Sequence, residues 1–426
     1  MRRKAFRAIA VKHVSGVKLA QLHPAESVVV GTDIGKFEVR AICRWARGEW
    51  ERPWRVGNPT ELGEFLDVLQ ELRKGRELVV AMEPSGTYGD ALRQALDDAQ
   101  IPVCRVSPKG AHDYAEIFDG APSQHDGKDA AVVAELAAYG KCSVWPYQPA
   151  RVWDQELHYW VDWMEGQRRI LQMWLGRIEA LLARHWPEAT RLLKVSSATL
   201  LRALGEYGGP AGLAADAQAA ARLARWGGKY LRPEKVANLI ASARQSVGVR
   251  QGEWEIRQLR DYAGQAWQAR REFRRSQRQL CRLARGHAVL EAQGRAVGVP
   301  TACVLWSCTG DPRDYDSGGA YRKAMGLNLV ERSSGTYQGQ LRISKRGHPR
   351  SRQWLYFAVL RLVQKAGVQA WYQAKKARDG QESKRALVGV MRRLAVALHR
   401  VAVHGETFDG RRLFPGEARA RAKRDC

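Results

Sequence analysis

The stretch ESVVVGTDIGKFEVRAI, residues 26–42, places Asp33 between a β-branched run and an alternating one. Val28 to Thr32 read as a first strand. Phe37, Val39, Ala41, Cys43 and Trp45 alternate with polar residues as a second. Gly48 turns the chain into a third strand around Trp50–Val56. Asn58 and Thr60 are placed to cap a helix running to about Arg73, with Leu62, Phe65, Leu66 and Leu69 on one face. Leu78–Met82 is a fourth strand, and Glu83 stands at its end. A helix over 90–99, a fifth strand at Val103–Val106, and helices over 111–118 and 126–139 complete the block. In the last of these, HDGKDAAVVAELAAYG (125–140) sets Asp126 and Asp129 three residues apart, on one helix face.

The order β-β-β-α-β-α-β-α is the ribonuclease-H topology. In that fold the first strand lies beside the fourth, which brings Asp33 and Glu83 together with the last helix and its two aspartates nearby. The arrangement resembles the way ribonuclease-H and RuvC-type nucleases build a two-magnesium centre. Two divalent ions clamp the attacking and leaving oxygens of a phosphodiester, and they need hard oxygen ligands fixed on separate rigid elements. Each acid taken singly also has a structural role open to it. Asp126 can cap a helix, Asp129 can sit in its first turn, Asp33 can close a turn with Gly35, and Glu83 can simply be exposed.

The 426 residues are enough for two or three domains, and 45% hydrophobic residues are enough for real cores. Lys and Arg number 70 against 44 Asp and Glu, a formal net charge of +26. Such an excess calls for a polyanionic partner, nucleic acid first and a membrane surface second. No run approaches the roughly 18 apolar residues of a transmembrane helix. The basic start, residues 1–25, lacks the apolar segment of a secretory signal and reads as a nucleic-acid-binding arm or a frayed tail. The 7 cysteines form no CxxC pair and no zinc spacing with the 10 histidines. Reduced thiols and carboxylate-held metal are therefore expected, in a cytoplasmic protein.

Residues 151–290 read as helical. Leu171, Trp174, Ile178 and Leu181 follow a heptad seam. A second long helix over about 252–285 carries an arginine run in which Arg274, Arg275, Arg278, Arg282 and Arg285 are unrelieved by any acid. The run reads as phosphate contact, or as a solvated helix face. Residues 291–405 form a further unit. Its GVPTACVLWSC segment (298–308) resembles the start of a helix-hairpin-helix, with Pro300 where a second glycine is usual. From Arg342 to Ala366 there are seven Lys or Arg and no acid, with Trp354, Tyr356 and Phe357 interleaved as either core or stacking residues. The segment 406–426 is a basic tail.

GTDIGK, MEPSGTY, VSPKGAHDYAE and DGKDAAVVAELAAYG together resemble the N-terminal domain of the DEDD transposases of bacterial insertion sequences, whose type member is insertion sequence one-ten and whose relatives include site-specific DNA invertases. The run YRKAMGLNLVERSSGTYQGQLRISKRGHPRSRQWLYFAVL (321–360) resembles that family's second domain. The likeness covers roughly residues 28–140 and 295–403. It implies an α/β RuvC-like catalytic domain over 26–150, a helical, coiled-coil middle that dimerises and binds nucleic acid, and a mainly helical C-terminal domain with a catalytic serine. The matching serine is Ser334 in ERSSGTYQG, with Ser333 adjacent and the register open by one residue. The resemblance also implies magnesium, two ions, at Asp33, Glu83, Asp126 and Asp129. It implies target and donor DNA, a structured guide RNA of the bridge type, and a homodimer or homotetramer. Arg342, Lys345 and Arg346 are suited to phosphate beside the serine, or form a solvated basic loop. The family pattern carries a small polar residue where His125 stands.

The expected function is thus a transposase or site-specific recombinase that cuts and rejoins DNA through a serine. Two other classes compete with it. A RuvC-like structure-specific nuclease would hydrolyse with water and make no covalent link. A catalytically inactive nucleic-acid-binding protein would keep only the fold.

Overall fold

A computed structural model describes residues 7–84, 86–120, 126–148, 150–331, 339 and 341–410. The chain divides into two compact units, Met1–Pro149 and Ala150–Cys426.

The first unit is a mixed sheet with helices on both faces. In chain order its elements are β1 (Ile9–Ala10), α1 (Gly16–Leu22), β2 (Val28–Ile34), β3 (Glu38–Trp45), β4 (Trp54–Gly57), α2 (Leu62–Arg73), β5 (Leu78–Met82), α3 (Asp90–Asp98), β6 (Val103–Val106), α4 (Pro108–Asp119), α5 (Asp126–Ala138) and β7 (Cys142–Val144). The strand order is β1-β4-β3-β2-β5-β6-β7. The central pair β2 and β5 is parallel, with Thr32 opposite Met82. The hairpin β2–β3 is antiparallel, with Asp33 opposite Arg40.

Alternation along β2 decides what each face does. Val28, Val30 and Ile34 join Phe65, Leu69, Leu72, Leu92 and Leu96 in a core under α2 and α3. Val29 faces the other way, toward Ala130, Ala131 and Ala134 of α5. Gly31 and Asp33 share that second face.

Several local expectations are corrected. Residues 9–22 are neither a free basic arm nor a frayed tail. Ile9–Ala10 pairs parallel with Trp54–Arg55, Val11 is 1% exposed, and Ser15 caps α1 by accepting from Lys18 N–H. Its apolar residues Ile9, Val11, Val14 and Leu19 seal the β4 edge of the sheet and the side of α2. The third strand begins at Trp54 rather than Trp50, because Pro53 has no N–H to give to a ladder. Trp50 makes only an isolated bridge to Arg44. Asn58 and Thr60 do not cap α2. The Asn58 amide donates to Gly35 O and Tyr88 O, so it ties the β2–β3 turn to the approach of α3. A seventh strand, β7, extends the sheet beyond β6.

The second unit is almost wholly helical. It contains α6 (Val152–His185), α7 (Ala189–Leu192), α8 (Ala198–Tyr207), α9 (Pro210–Ala215), α10 (Ala219–Gly227), α11 (Pro233–Arg244), α12 (Glu253–Leu283), α13 (Ala288–Val297), α14 (Val299–Thr309), α15 (Gly318–Ala324), the strands β8 (Leu329–Val330) and β9 (Arg342–Ile343), then α16 (Pro349–Leu362), α17 (Ala366–Arg378) and α18 (Ser383–His404). Helices α6 and α12 run antiparallel: Trp153 meets Leu283, Trp163 meets Glu272, Trp174 meets Tyr262 and His185 meets Glu255.

The heptad residues Leu171, Trp174, Ile178 and Leu181 pack into the core that α6 and α12 form with α8, α10 and α11. Within the chain, Ile178 of that seam is buried and the other three are partly buried. A second core gathers α13, α14, α16 and α18 around Tyr321 and Leu355. Trp354 belongs to it, donating its indole N–H to buried Glu165, and so is a core residue rather than a stacking one. At GVPTAC, α13 and α14 meet across Gly298, whose φ of +89° suits glycine. The Gly298 N–H is donated to Gly294 O, closing α13. The tail beyond residue 410 lies outside the described residues.

Candidate functional site

Asp33 is the last but one residue of β2 and Glu83 directly follows β5. Because β2 and β5 are parallel neighbours in register, both carboxylates emerge at the same end of the sheet. Helix α5 lies across β2 and β3, and its close approach is set at Gly31. A Cβ on Gly31 would collide with Ala130 O and stand 2.6 Å from Ala134 Cβ. Asp126 and Asp129 occupy the first turn of α5, where the positive end of the helix dipole favours anions.

The electrostatics register this convergence. Burial first, then the carboxylates of Asp129, Asp126 and Glu83, push Asp33 up to about 6. Burial and Asp129 likewise raise Glu83. The four acids therefore share one field. They are not drawn to common ligand distance, since no group of three His, Cys, Asp or Glu among the described residues stands ready to hold a metal. A half-buried cluster of mutually repelling carboxylates nevertheless fits a hard divalent cation, whose charge relieves the repulsion that lifts Asp33.

Two cations beside the acids were not singled out by sequence. Arg40 sits opposite Asp33 on β3, and its Nε is 3.7 Å from Asp126 Oδ2. Lys128, between the two aspartates, is 1% exposed and its Nζ lies 2.6 Å from Asp119 Oδ1. A buried ammonium needs such a partner. Asp119 closes α4, so this pair ties the end of α4 to the start of α5, across residues 121–125, which lie outside the described residues. Lysine in an acidic first turn carries no warning of burial, and only the packing reveals it.

In the second unit, Ser333 and Ser334 lie outside the described residues. Their flanks are described. Leu329 pairs with Ile343 and Val330 with Arg342, an antiparallel ribbon that the sequence did not signal, and the serines belong to the connection between its strands. Arg342, Lys345 and Arg346 are all exposed. Ser344 N–H donates to Asn328 O and Lys345 N–H to Gly326 O, which seats this basic segment against the end of α15.

Arg274, Arg275 and Arg278 are exposed on α12 and align with exposed Arg271 and Arg282 on one helix face, and exposed Arg285 follows the end of the helix. Arg275 lies over the Trp160 ring. Next to it on α6 the rings of Tyr159 and Trp163 stack at 6.4 Å and 14°, both exposed. Arginines beside exposed aromatic rings form a surface suited to nucleic-acid strands. Replacing Arg274, Arg275 and Arg278 by alanine is expected to lower the slope of log K against log salt by about 2–3. Helix α12 tolerates the change because alanine is the better helix former. Fluorescence anisotropy across a salt series checks it, and an unchanged slope removes these arginines from the interface.

A family model for DEDD transposases of insertion sequence IS110 matches residues 30–162, and one described as "Transposase IS116/IS110/IS902 family" matches residues 293–374. The chain belongs to the IS110 family of DEDD transposases. The first match spans all four acids and the second spans Ser333, Ser334 and the basic segment after them. The chain is also similar to imidazole glycerol phosphate synthase subunit HisF of Chlorobium limicola, 26% identical over 132 residues, which is 30% of this chain and 48% of that protein. It thus spans about half the length of that relative. No helix among the described residues is long and apolar enough to cross a membrane.

Proposed function

We propose that the chain is a DNA transposase or site-specific recombinase of an insertion sequence, in which a RuvC-like carboxylate site and a serine cooperate to cut and rejoin strands. The observation that carries this reading is the convergence of Asp33, Glu83, Asp126 and Asp129 in one field, which adds to burial in lifting Asp33 to about 6, in a chain of net charge +26.

Asp33, Glu83, Asp126 and Asp129 would hold magnesium, most simply two ions, which when bound supplies charge stabilisation at the phosphodiester oxygens. The protein's own groups do the rest. The Ser334 hydroxyl, or that of Ser333, attacks phosphorus. A bond from its Oγ to phosphorus forms, one phosphorus–ribose oxygen bond breaks, and the departing ribose oxygen takes a proton as the serine loses one. The phosphoserine link conserves the ester for rejoining when a second ribose hydroxyl reverses the step. Arg342, Lys345 and Arg346 are placed in sequence to hold phosphates beside the serine. The arginine face of α12 and the exposed rings of α6 supply sequence-independent grip on DNA and on a structured guide RNA of the bridge type.

The family pattern further supports a homodimer or homotetramer, in which the serine of one subunit meets the carboxylates of another. The site of action would be the bacterial cytoplasm, at the nucleoid.

The test incubates the full chain and its RNA with magnesium and labelled DNA carrying the element's junction. A denaturant-resistant protein–DNA adduct is expected at Ser334, lost in Ser334→Ala and in Asp33→Asn. Cleavage that survives Ser334→Ala and Ser333→Ala without an adduct would instead assign a hydrolytic nuclease.

A further inference from the structure

The C-terminal unit contains a cavity of about 930 Å³ bounded by α15, α17, α18 and the segment after α18. This lies within the size range of small-ligand sites. Its wall is unusual in charge. Arg322, Lys375, Arg378, Arg392, Arg393 and Arg400 all contribute, against three acids, Asp379, Glu406 and Asp409. All three acids are already engaged: Lys375 binds Asp379 at 2.5 Å, Arg400 lies 3.8 Å from Glu406, and Asp409 also has a partner.

Arg322 and Arg392 are the informative pair. Both are half-buried. The Arg322 Nε is buried with no hydrogen-bond partner among the described residues. Arg392 spends its Nε–H on Leu327 O, leaving the rest of its guanidinium toward the cavity wall. Burial, and then the charge of Arg322, hold Arg392 below its ordinary value. Two guanidinium groups brought together in a partly desolvated wall repel each other unless an anion lies between them.

The cavity is also aromatic. Trp371 and Phe408 line it. One face of the Trp371 ring receives the Arg393 guanidinium at 4.8 Å, and the ring edge passes over Gly389, where a Cβ would stand 3.6 Å from it. Val396, Ala397 and Val401 supply an apolar floor. Paired arginines, flat rings and an apolar floor in one recess match the three parts of a nucleotide: phosphate, base and sugar.

We infer that this cavity takes a single unpaired nucleotide, its phosphate against Arg322 and Arg392 and its base against Trp371 and Phe408. The nucleotide is one unit of a nucleic-acid strand turned out of its stack, so the inference rests on the proposed nucleic-acid function for its source but not on the carboxylate site. A base that leaves its neighbours loses stacking, and an aromatic wall restores it. The pocket would register an unpaired position in a bound strand.

The experiment photocrosslinks the full-length protein to a single-stranded oligonucleotide with one internal 5-iodouracil, and separately to 5-iodo-2′-deoxyuridine monophosphate. Adducts are mapped by mass spectrometry. Expected is an adduct from the oligonucleotide on the peptides carrying Trp371 or Phe408. It should fall roughly tenfold in Arg322→Ala, the size of one lost charge-assisted hydrogen bond, and recover in large part in Arg322→Lys. Arg378→Glu, at an exposed rim position, should also weaken it and guards against misfolding of the buried variant. The same adduct from the monophosphate, competing with the strand, would keep the pocket but assign it a free nucleotide. Adducts confined to other peptides, in protein that melts normally, would overturn the inference. Because no cleavage is read, an inactive carboxylate site cannot mimic that failure.

Discussion

Asp33→Asn is expected to abolish magnesium-dependent strand cleavage while leaving nucleic-acid affinity unchanged. Groups that only orient metal ligands are worth about 10–100-fold, so loss of a ligand itself should cost on the order of a hundredfold or more. The same substitution should stabilise the metal-free protein, because it deletes a carboxylate that burial desolvates and that three other carboxylates repel. Asp33 sits at about 6 in the folded chain against an ordinary 3.8. The folded state therefore holds this proton more tightly than the unfolded state does. The cost of its charge is absent below about 3.8, grows as pH rises toward 6, and is fully present above that. In chelator at neutral pH the gain for Asp33→Asn should be on the order of 1 kcal/mol once partial exposure is discounted. Magnesium should stabilise the parent chain and not the variant, and protons should compete with magnesium for the site as pH falls toward and below 6. Denaturant melts with and without magnesium, beside a gel assay, check all of this. A variant that still cleaves would remove Asp33 from the site, and one destabilised in chelator would contradict that cost.

Gly31→Ala is expected to damage both the fold and the site. In an ordinary strand the change would be mild or even favourable, since alanine restricts the unfolded chain. Here the new methyl would point at α5, onto Ala130 O and within 2.6 Å of the Ala134 backbone N. A carbonyl and an amide in mid-helix cannot rotate away, so α5 must shift as a body. Overpacking of this kind costs about 1–3 kcal/mol, and Gly31→Val should cost more. The displaced helix carries Asp126 and Asp129 with it, so cleavage should fall more steeply than stability. Ala134→Gly should rescue only in part, because the contact with Ala130 O remains. A denaturation midpoint equal to that of the parent would show that the approach of α5 to β2 is looser than the structure has it.

Local pattern made much of the first unit legible. The strands Leu78–Met82 and Val103–Val106 have the expected bounds because each is a short apolar run closed by a proline or a turn signal. The step from Asp126 to Asp129 put both in one helical turn without any tertiary information. Legibility failed where the deciding partner is remote in sequence. Residues 9–22 carry apolar residues in no clear strand or helix period, and they fold because β4 and α2 offer an edge and a groove. Asn58 looked like a helix cap, but its amide has better acceptors in Gly35 and Tyr88. The heptad seam of α6 was correctly apolar, but periodicity does not say whether the matching helix belongs to the same chain.

The sequence by itself determined the secondary structure around the four acids, the family, and the basic character of the surface, because these depend on residue type and on spacing within one element. Tertiary structure decided the rest: that Asp33, Glu83, Asp126 and Asp129 share one field, that Lys128 is buried against Asp119, that α6 and α12 pack in one core, and that Arg322 and Arg392 meet in one cavity wall. Each of these depends on the distance between groups far apart along the chain. Charge repulsion, desolvation and close packing act through that distance, and no local pattern encodes it.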